Sequence, residues 1–328
     1  MSSINSQEVF SIQSDADFNR LALEIFQYQA SENNVYSTFI NYLGVEKNSI
    51  KNPLQIPFLP IELFKTQSII CGETNAEIVF TSSGTTGMTQ SKHYVKDLTI
   101  YTESFRKAFT HFYGNVGDYT ILALLPSYLE RDGSSLIFMV DDLIKQSEDN
   151  LSGYFLRNHE ELHNTLLHLK TAKKKTLLIG VTYALLDFIE AFPLNFAELI
   201  VMETGGMKGM RREMIKDELH DHLCAGFGVS AIHSEYGMTE LLSQAYSKGS
   251  GRFTCPSWMQ IAIRDINDPL SYLDYGKTGG INVIDLANLH SCSFLSTQDL
   301  GKIHTDGSFE VLGRFDNSDI RGCNLLVQ

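Results

Sequence analysis

Positive charge is scarce in this chain of 328 residues: 26 lysines and arginines stand against 39 aspartates and glutamates, a formal net charge of −13. A surface that grips a nucleic-acid backbone needs clustered cations to replace the phosphate counterions. The one dense basic run, Lys173-Lys174-Lys175, is short and leads into an apolar segment. It reads as a solvated loop, and no nucleic-acid partner is expected. Long apolar runs are missing too: no window approaches the roughly 18 apolar residues of a membrane-spanning helix. The opening MSSINSQEVF has neither the basic start nor the apolar stretch of a signal peptide. The five cysteines, Cys71, Cys224, Cys255, Cys292 and Cys323, are odd in number and scattered. That argues against a disulfide framework and predicts reduced thiols in a cytoplasmic protein. Proline occurs seven times, with three of the seven in NPLQIPFLPIELF, where they favour an extended crossing. In LHDHLC, His220, His222 and Cys224 do not all face one way on a helix, and no second ligand pair stands at zinc-like spacing.

Apolar residues are not scarce: they make up 43% of the chain, enough for a sizeable core. From Asp15 to Leu43 they recur at helical spacing, interrupted by SENN, which predicts two packed helices. Strand and helix signals then alternate. IVF precedes YTESFRKAFTHFYG, TILALLP precedes SSLIFMVDDLIKQ, TLLIG precedes YALLDFIEAF, and LIVMETGG precedes RREMIKDELHDHL. This predicts an α/β fold with a largely parallel sheet flanked by helices. Beyond Cys255, the segments MQIAIRDI, GGINVIDL, GKIHT and FEVLG are short alternating strands with Asp and Gly turns. A nucleotide- and acyl-binding core over 1–255 and a β-rich, mostly antiparallel portion over 256–328 are expected to pack as one unit.

Two segments carry candidate chemistry. FTSSGTTGMTQSKH, residues 80–93, follows an apolar run with a stretch rich in Gly, Ser and Thr. Backbone N–H groups of such a turn converge on an anion, and the hydroxyls add donors; a polar hairpin is the competing reading. The P-loop pattern GxxxxGK[ST] is absent. In HSEYGMTELLSQAY, Thr239 and Glu240 follow a Tyr-Gly turn and place a hydroxyl and a carboxylate where Mg²⁺ and phosphate oxygens meet. Thr239 capping a helix is the alternative.

Taken in order, FTSSGTTG, ETGGMKG, EYGMTE and STQDLGKIHTDGSFEVLGRFDNSDIRG resemble the adenylate-forming superfamily, whose members join a carboxylate to AMP and pass the acyl group to a thiol. The resemblance covers about residues 75–322. It implies ATP and Mg²⁺ as cofactors, with Ser82, Ser83, Gly84, Thr85, Thr86 and Gly87 as the phosphate loop. Gly205, Gly206 and Met207 would lie against adenine and Tyr236 would stack on its other side. Thr239 would reach phosphate and Glu240 the metal, Asp299 the ribose hydroxyls, and Arg314 ribose and phosphate. The superfamily loop usually continues Pro-Lys-Gly; here it continues Met88-Thr89-Gln90, and Lys92 is the candidate for the charge. The superfamily's mobile C-terminal lid domain, with its lysine, is expected to be absent. The short core, LEIFQYQASENNVYSTF, IPFLPIELFK and a cysteine near the end further resemble the acyl-protein synthetase (long-chain-fatty-acid luciferin-component ligase) family of bacterial fatty-acid reductase systems. That implies a fatty or other carboxylic acid as substrate, Cys323 as acyl carrier and a reductase as partner. An acyl- or aryl-CoA or carrier-protein ligase, and a non-catalytic nucleotide-binding subunit of a reductase complex, are the alternatives.

Overall fold

The computed structural model of the chain describes residues 4–73, 75–82, 89–126, 133–156, 158–205 and 214–315. Three helices open it: α1 (Ser6–Val9), α2 (Asp15–Glu32) and α3 (Asn34–Tyr42). Each is started by a side chain that accepts a hydrogen bond from the first turn, Asn5, Ser14 and Asn33 respectively, satisfying donors that a helix leaves orphaned. The polar SENN therefore ends one helix and caps the next. Phe18, Leu21, Ile25 and Phe26 form the buried stripe of α2. Gln29, also buried, donates to the carbonyls of Asn288 and Leu289, and Asn33 donates to that of Ser291. These bonds fix the helical pair to the C-terminal part of the chain. The proline-rich crossing supplies β1 (Leu59–Pro60) between short 3₁₀ turns.

The next elements are β2 (Ile78–Thr81), β3 (Lys92–Val95), α4 (Leu98–Tyr113), β4 (Thr120–Leu124), α5 (Ser135–Ser147), β5 (Gly153–Tyr154) and α6 (His159–Thr171). They are followed by β6 (Thr176–Val181), α7 (Thr182–Ala191), β7 (Ile200–Thr204), α8 (Lys216–Phe227) and β8 (His233–Tyr236). Strands β4 and β6 are buried at every position. Helices cover both faces of such strands, which is why TILAL and TLLIGV read as unbroken apolar runs. The C-terminal portion contributes β9 (Ala245–Ser247), β10 (Arg252–Thr254), β11 (Met259–Arg264), β12 (Gly279–Asp285), β13 (Phe294–Ile303) and β14 (Phe309–Arg314).

Among the described residues one 12-stranded sheet runs β11-β12-β13-β14-β10-β9-β8-β7-β6-β4-β5, with β1 paired to β13. The neighbours from β5 to β8 are parallel and those from β8 to β11 antiparallel. The hydrogen-bonded ladder passes residue 255 without interruption, because β10 pairs with β14. No described helix is long and apolar enough to cross a membrane.

Three local expectations change. The strand IVF is not part of the parallel sheet: β2 pairs antiparallel with β3 in a separate ribbon. Residues 82–91 are too short a link for the crossover of a dozen or more residues that a parallel return requires. Helix α8 starts at Lys216, because Ile215 before it holds extended backbone. GKIHT is not a separate strand: its first three residues end the ten-residue strand β13 (Phe294–Ile303), so Asp299 stands within that strand.

Candidate active site

The register of one strand pair builds the first half of the site. Asp299 of β13 lies directly opposite Arg314 of β14, and cross-strand partners on one face are close enough for their side chains to meet. Arg314 Nε is 3.3 Å from Asp299 Oδ1; the arginine side chain is 74% exposed and the aspartate 11%. The remaining guanidinium donors thus face open space. From the other side, the Tyr236 hydroxyl donates to Asp299 Oδ2 at 2.9 Å, while its ring meets Phe253 and Phe309 edge-on. Burial pushes Asp299 above the usual carboxylate range, opposed by Arg314, Tyr236 and Arg264. A nearly buried acceptor flanked by an aromatic ring and a half-free guanidinium suits a polyhydroxylated ring attached to a phosphate.

The second half is the turn after β8. Leu241 N–H donates to Met238 O, and Thr239 and Glu240 lie in a turn, not at a helix start. Three elements hold that turn. His93 Nδ1 lies 2.8 Å from Thr239 O, and Asn288 donates to Glu240 O at 2.8 Å. Asp285 accepts from the backbone N–H groups of Leu242 and Ser243 and from the Ser243 hydroxyl. Burial lowers His93 to about 4, leaving a neutral ring at pH 7. Burial likewise raises Glu240, against the pull of Ser91, Arg314 and Lys65. Arg314 therefore acts on Asp299 and Glu240 together.

The ribbon β2–β3 closes the site. Ser82 and Ser91 tie its neck: Ser82 N–H donates to Ser91 O at 3.1 Å, and Ser91 N–H to Ser82 Oγ at 2.9 Å. The same Ser91 faces Glu240, so the base of the proposed phosphate loop adjoins the proposed metal ligand. Ser83, Gly84, Thr85, Thr86 and Gly87 lie outside the described residues, as do Gly206, Met207 and Cys323. Gly205 is described and follows β7 with φ 72°, a left-handed conformation that glycine adopts without strain. Lys92 is exposed, whereas the next residue, His93, is buried beneath the Thr239 turn. Alternation along β3 sends their side chains to opposite faces. Of the tentative metal trio, His220 stands 3.6 Å from Glu203 Oε1.

Several residues escaped sequence reasoning. Lys65 ends a 3₁₀ turn and acts on Glu240. Arg264 is buried, donates to Ile281 O, Asn282 Oδ1 and Thr297 O, and acts on Asp299. A Cβ on Gly280 would collide with its guanidinium, so the doublet Gly279-Gly280 is the local signal of that arginine. Glu203 and Glu235 stand one residue before the carboxyl ends of β7 and β8.

No protein-family model matches the chain, and no curated protein matches it. Solved structures do. ATP-bound MatB from Rhodopseudomonas palustris superposes with a TM-score of 0.56 at 19% identity, over 74% of this chain and 49% of that one. The open conformation of 2-hydroxyisobutyryl-CoA ligase, in complex with 2-HIB-AMP and CoA, superposes with a TM-score of 0.66 at 12% identity, over 92% of this chain and 70% of that one. The same ligase in its thioesterification state gives a TM-score of 0.65 at 14% identity, over 93% and 70%. The chain spans about half the length of the first solved structures that it matches. Its mixed α/β architecture, a large sheet flanked by helices, matches the fold of these adenylate-forming enzymes.

Proposed function

We propose that the protein uses ATP to activate a carboxylic acid as acyl-AMP and then passes the acyl group to a thiol. One observation carries this reading: Tyr236 and Arg314 converge on the carboxylate of Asp299, the three residues having been singled out from two separate sequence segments, with Arg314 also acting on Glu240. Tyr236 packs against adenine, Asp299 takes the ribose hydroxyls, and Arg314 bridges ribose and phosphate. The loop Ser82–Gly87 and Thr239 hold the phosphate oxygens, and Gly205, Gly206 and Met207 lie along adenine. Glu240 and Thr239 offer the hard oxygen donors that Mg²⁺ prefers, and a carboxyl raised by burial gains from a cation beside it. When bound there, Mg²⁺ neutralises phosphate charge.

The carboxylate oxygen of the acid attacks the α-phosphorus, the bond from that phosphorus to the bridging oxygen breaks, and pyrophosphate leaves. A thiolate then attacks the acyl carbon and AMP leaves, giving a thioester. The sequence resemblance favours Cys323 as that thiol, a fatty acid as substrate and a reductase as the protein that takes up the acyl group. Lys65, and not the exposed Lys92, is the lysine best placed to balance charge beside Glu240. A second reading has support of its own: a neighbour of this fold is a CoA ligase bound to an acyl-AMP and CoA, which favours CoA as the acceptor.

Intact-protein mass spectrometry after incubation with Mg-ATP and a panel of acids separates these readings. A hydroxylamine-sensitive adduct on the wild type but not on Cys323→Ala supports self-acylation. Pyrophosphate release that needs added CoA, with no adduct, transfers the proposal to the ligase. Neither signal with any acid removes the catalytic reading.

A further inference from the structure

The groups assigned to the nucleotide leave one pair of acceptors unused. Glu235 precedes Tyr236 on β8, so the two side chains leave opposite faces of the strand. On its face Glu235 Oε2 accepts a 2.6 Å hydrogen bond from Thr204 Oγ1 at the end of β7. Gln244, the residue before β9, packs beside Gly237, and its side-chain amide hydrogen-bonds Tyr101. A Cβ built on Gly237 would collide with Glu235 Oε1 and would lie 3.3 Å from Gln244 Cγ. Gln244 is only 4% exposed, yet its Oε1 has no hydrogen-bond partner among the described residues. A buried acceptor without a donor is costly, and native proteins rarely leave one. Burial, with the charge of Glu203 adding to it and Thr204 opposing, raises Glu235 to about 7.

The surroundings are those of a ligand end, not of a closed polar network. Glu235 and Thr204 stand at the carboxyl ends of neighbouring parallel strands, where open α/β sheets place their ligands. Tyr246 lies directly across from Glu235 in register, and Tyr101 and Tyr113 of α4 are close enough for its charge to act on them. Aromatic rings with two neighbouring acceptors fit an organic group that is apolar along its length and carries one donor.

We infer that Glu235 and Gln244 receive a hydrogen-bond donor carried by the acid itself, a hydroxyl or ammonium group on its carbon chain. The substrate is thus a hydroxy or amino acid and not a plain alkanoate. This rests on the adenylation reading above. The acid crosses the strand ends, its carboxylate meeting the nucleotide on the Tyr236 side and its donor group meeting Glu235 and Gln244 on the other.

The test is ATP–pyrophosphate exchange with matched acids of short and medium chain, each unsubstituted acid set beside its amino and hydroxy derivatives at the second, third and fourth carbons. One donor-bearing acid is expected to exceed its unsubstituted partner in kcat/KM by about tenfold or more, since a site built to bond a donor rejects the analogue that lacks it. That ratio collapses toward one in Glu235→Ala and, independently, in Gln244→Leu, with thermal melts checking that each variant folds. Glu235→Gln, which keeps an acceptor but not the charge, retains a preference for a hydroxyl and loses one for an ammonium, and so tells the two apart. Unsubstituted acids used as well as every derivative overturn the inference and leave the adenylation reading standing. Exchange with no acid overturns both.

Discussion

Glu203 and Glu235 end adjacent parallel strands, and both are largely buried, yet their surroundings push them in opposite directions. Burial alone would raise Glu203, but His220, Lys216 and Ser234 outweigh it and hold the carboxyl down at about 2. Lys216 Nζ lies 3.2 Å from Glu203 Oε1, and the Thr182 hydroxyl donates to Oε2 at 3.0 Å. Among the described residues Glu235 has Thr204 and no such cation, and burial takes it up to about 7. Burial therefore does not set the state of a carboxylate by itself; the supply of positive charge does. The carboxylate of Glu203 is matched by Lys216 and the Thr182 hydroxyl and reads as structure. That of Glu235 is left with acceptor capacity and reads as a place for a ligand. Asp299 falls between them, buried but facing an exposed arginine.

The largest expected effect concerns that intermediate case. Asp299→Ala removes the acceptor on which Tyr236 and Arg314 converge, and ATP-dependent pyrophosphate exchange should fall by about a hundredfold, equivalent to roughly 3 kcal/mol for a lost charged hydrogen-bonding group. A change under threefold would show that the convergence is structural.

Next comes the contrast between the two glutamates. Lys216→Met leaves Glu203 buried without its cation and should destabilise the fold by about 3 kcal/mol, whereas Glu235→Gln, which deletes an uncompensated charge, should leave stability equal or higher. Urea unfolding at pH 7.5 measures both; equal losses in the two variants would erase the distinction.

Acidity supplies a third handle, with opposite signs at the two positions. Glu203 is depressed from 4.5 to about 2, so its contribution is present above the unfolded value and is lost as pH falls through about 2. Glu235 is raised from 4.5 to about 7, so its contribution is present in full below about 4.5 and disappears as pH rises through about 7, by at most about 3 kcal/mol. Asp285, raised by burial from 3.8 to about 6, adds a loss of the same sign at lower pH. Stability measured from pH 5 to pH 8 should thus decline in the wild type and decline less in Glu235→Gln. Identical slopes would mean that Glu235 is not buried as described.

The smallest effect is that of Tyr236→Phe. It keeps the ring and removes one hydrogen bond to Asp299, a change of about 1 kcal/mol or roughly fivefold in ATP affinity. If calorimetry gives a loss as large as that of Asp299→Ala, the hydroxyl and not the carboxylate is the principal contact.

Much of the frame was legible in the sequence. TILAL and TLLIGV had to be doubly covered strands because nothing polar interrupts them, and the spacing of Phe18, Leu21, Ile25 and Phe26 had to be one face of a helix. Local chemistry was less decisive where partners are distant. The apolar run IVF reads like any buried strand, and only the short link 82–91 and its pairing with KHYV remove it from the main sheet. Lys92 looked eligible by proximity to the glycine-rich loop, but strand alternation turns His93 toward Thr239 instead.

By itself, then, the sequence determined the element types, which depend on periodicity, and through the resemblance of its ordered short segments it offered Tyr236, Glu240, Asp299 and Arg314 as residues to watch. Only the tertiary structure decided that Asp299 faces Arg314 across a strand pair, that Lys65 and Arg264 join them, and that Glu203 finds cations while Glu235 meets Gln244. Those outcomes follow from register and burial, in which residues far apart in the chain set one another's dielectric surroundings and hydrogen-bond partners.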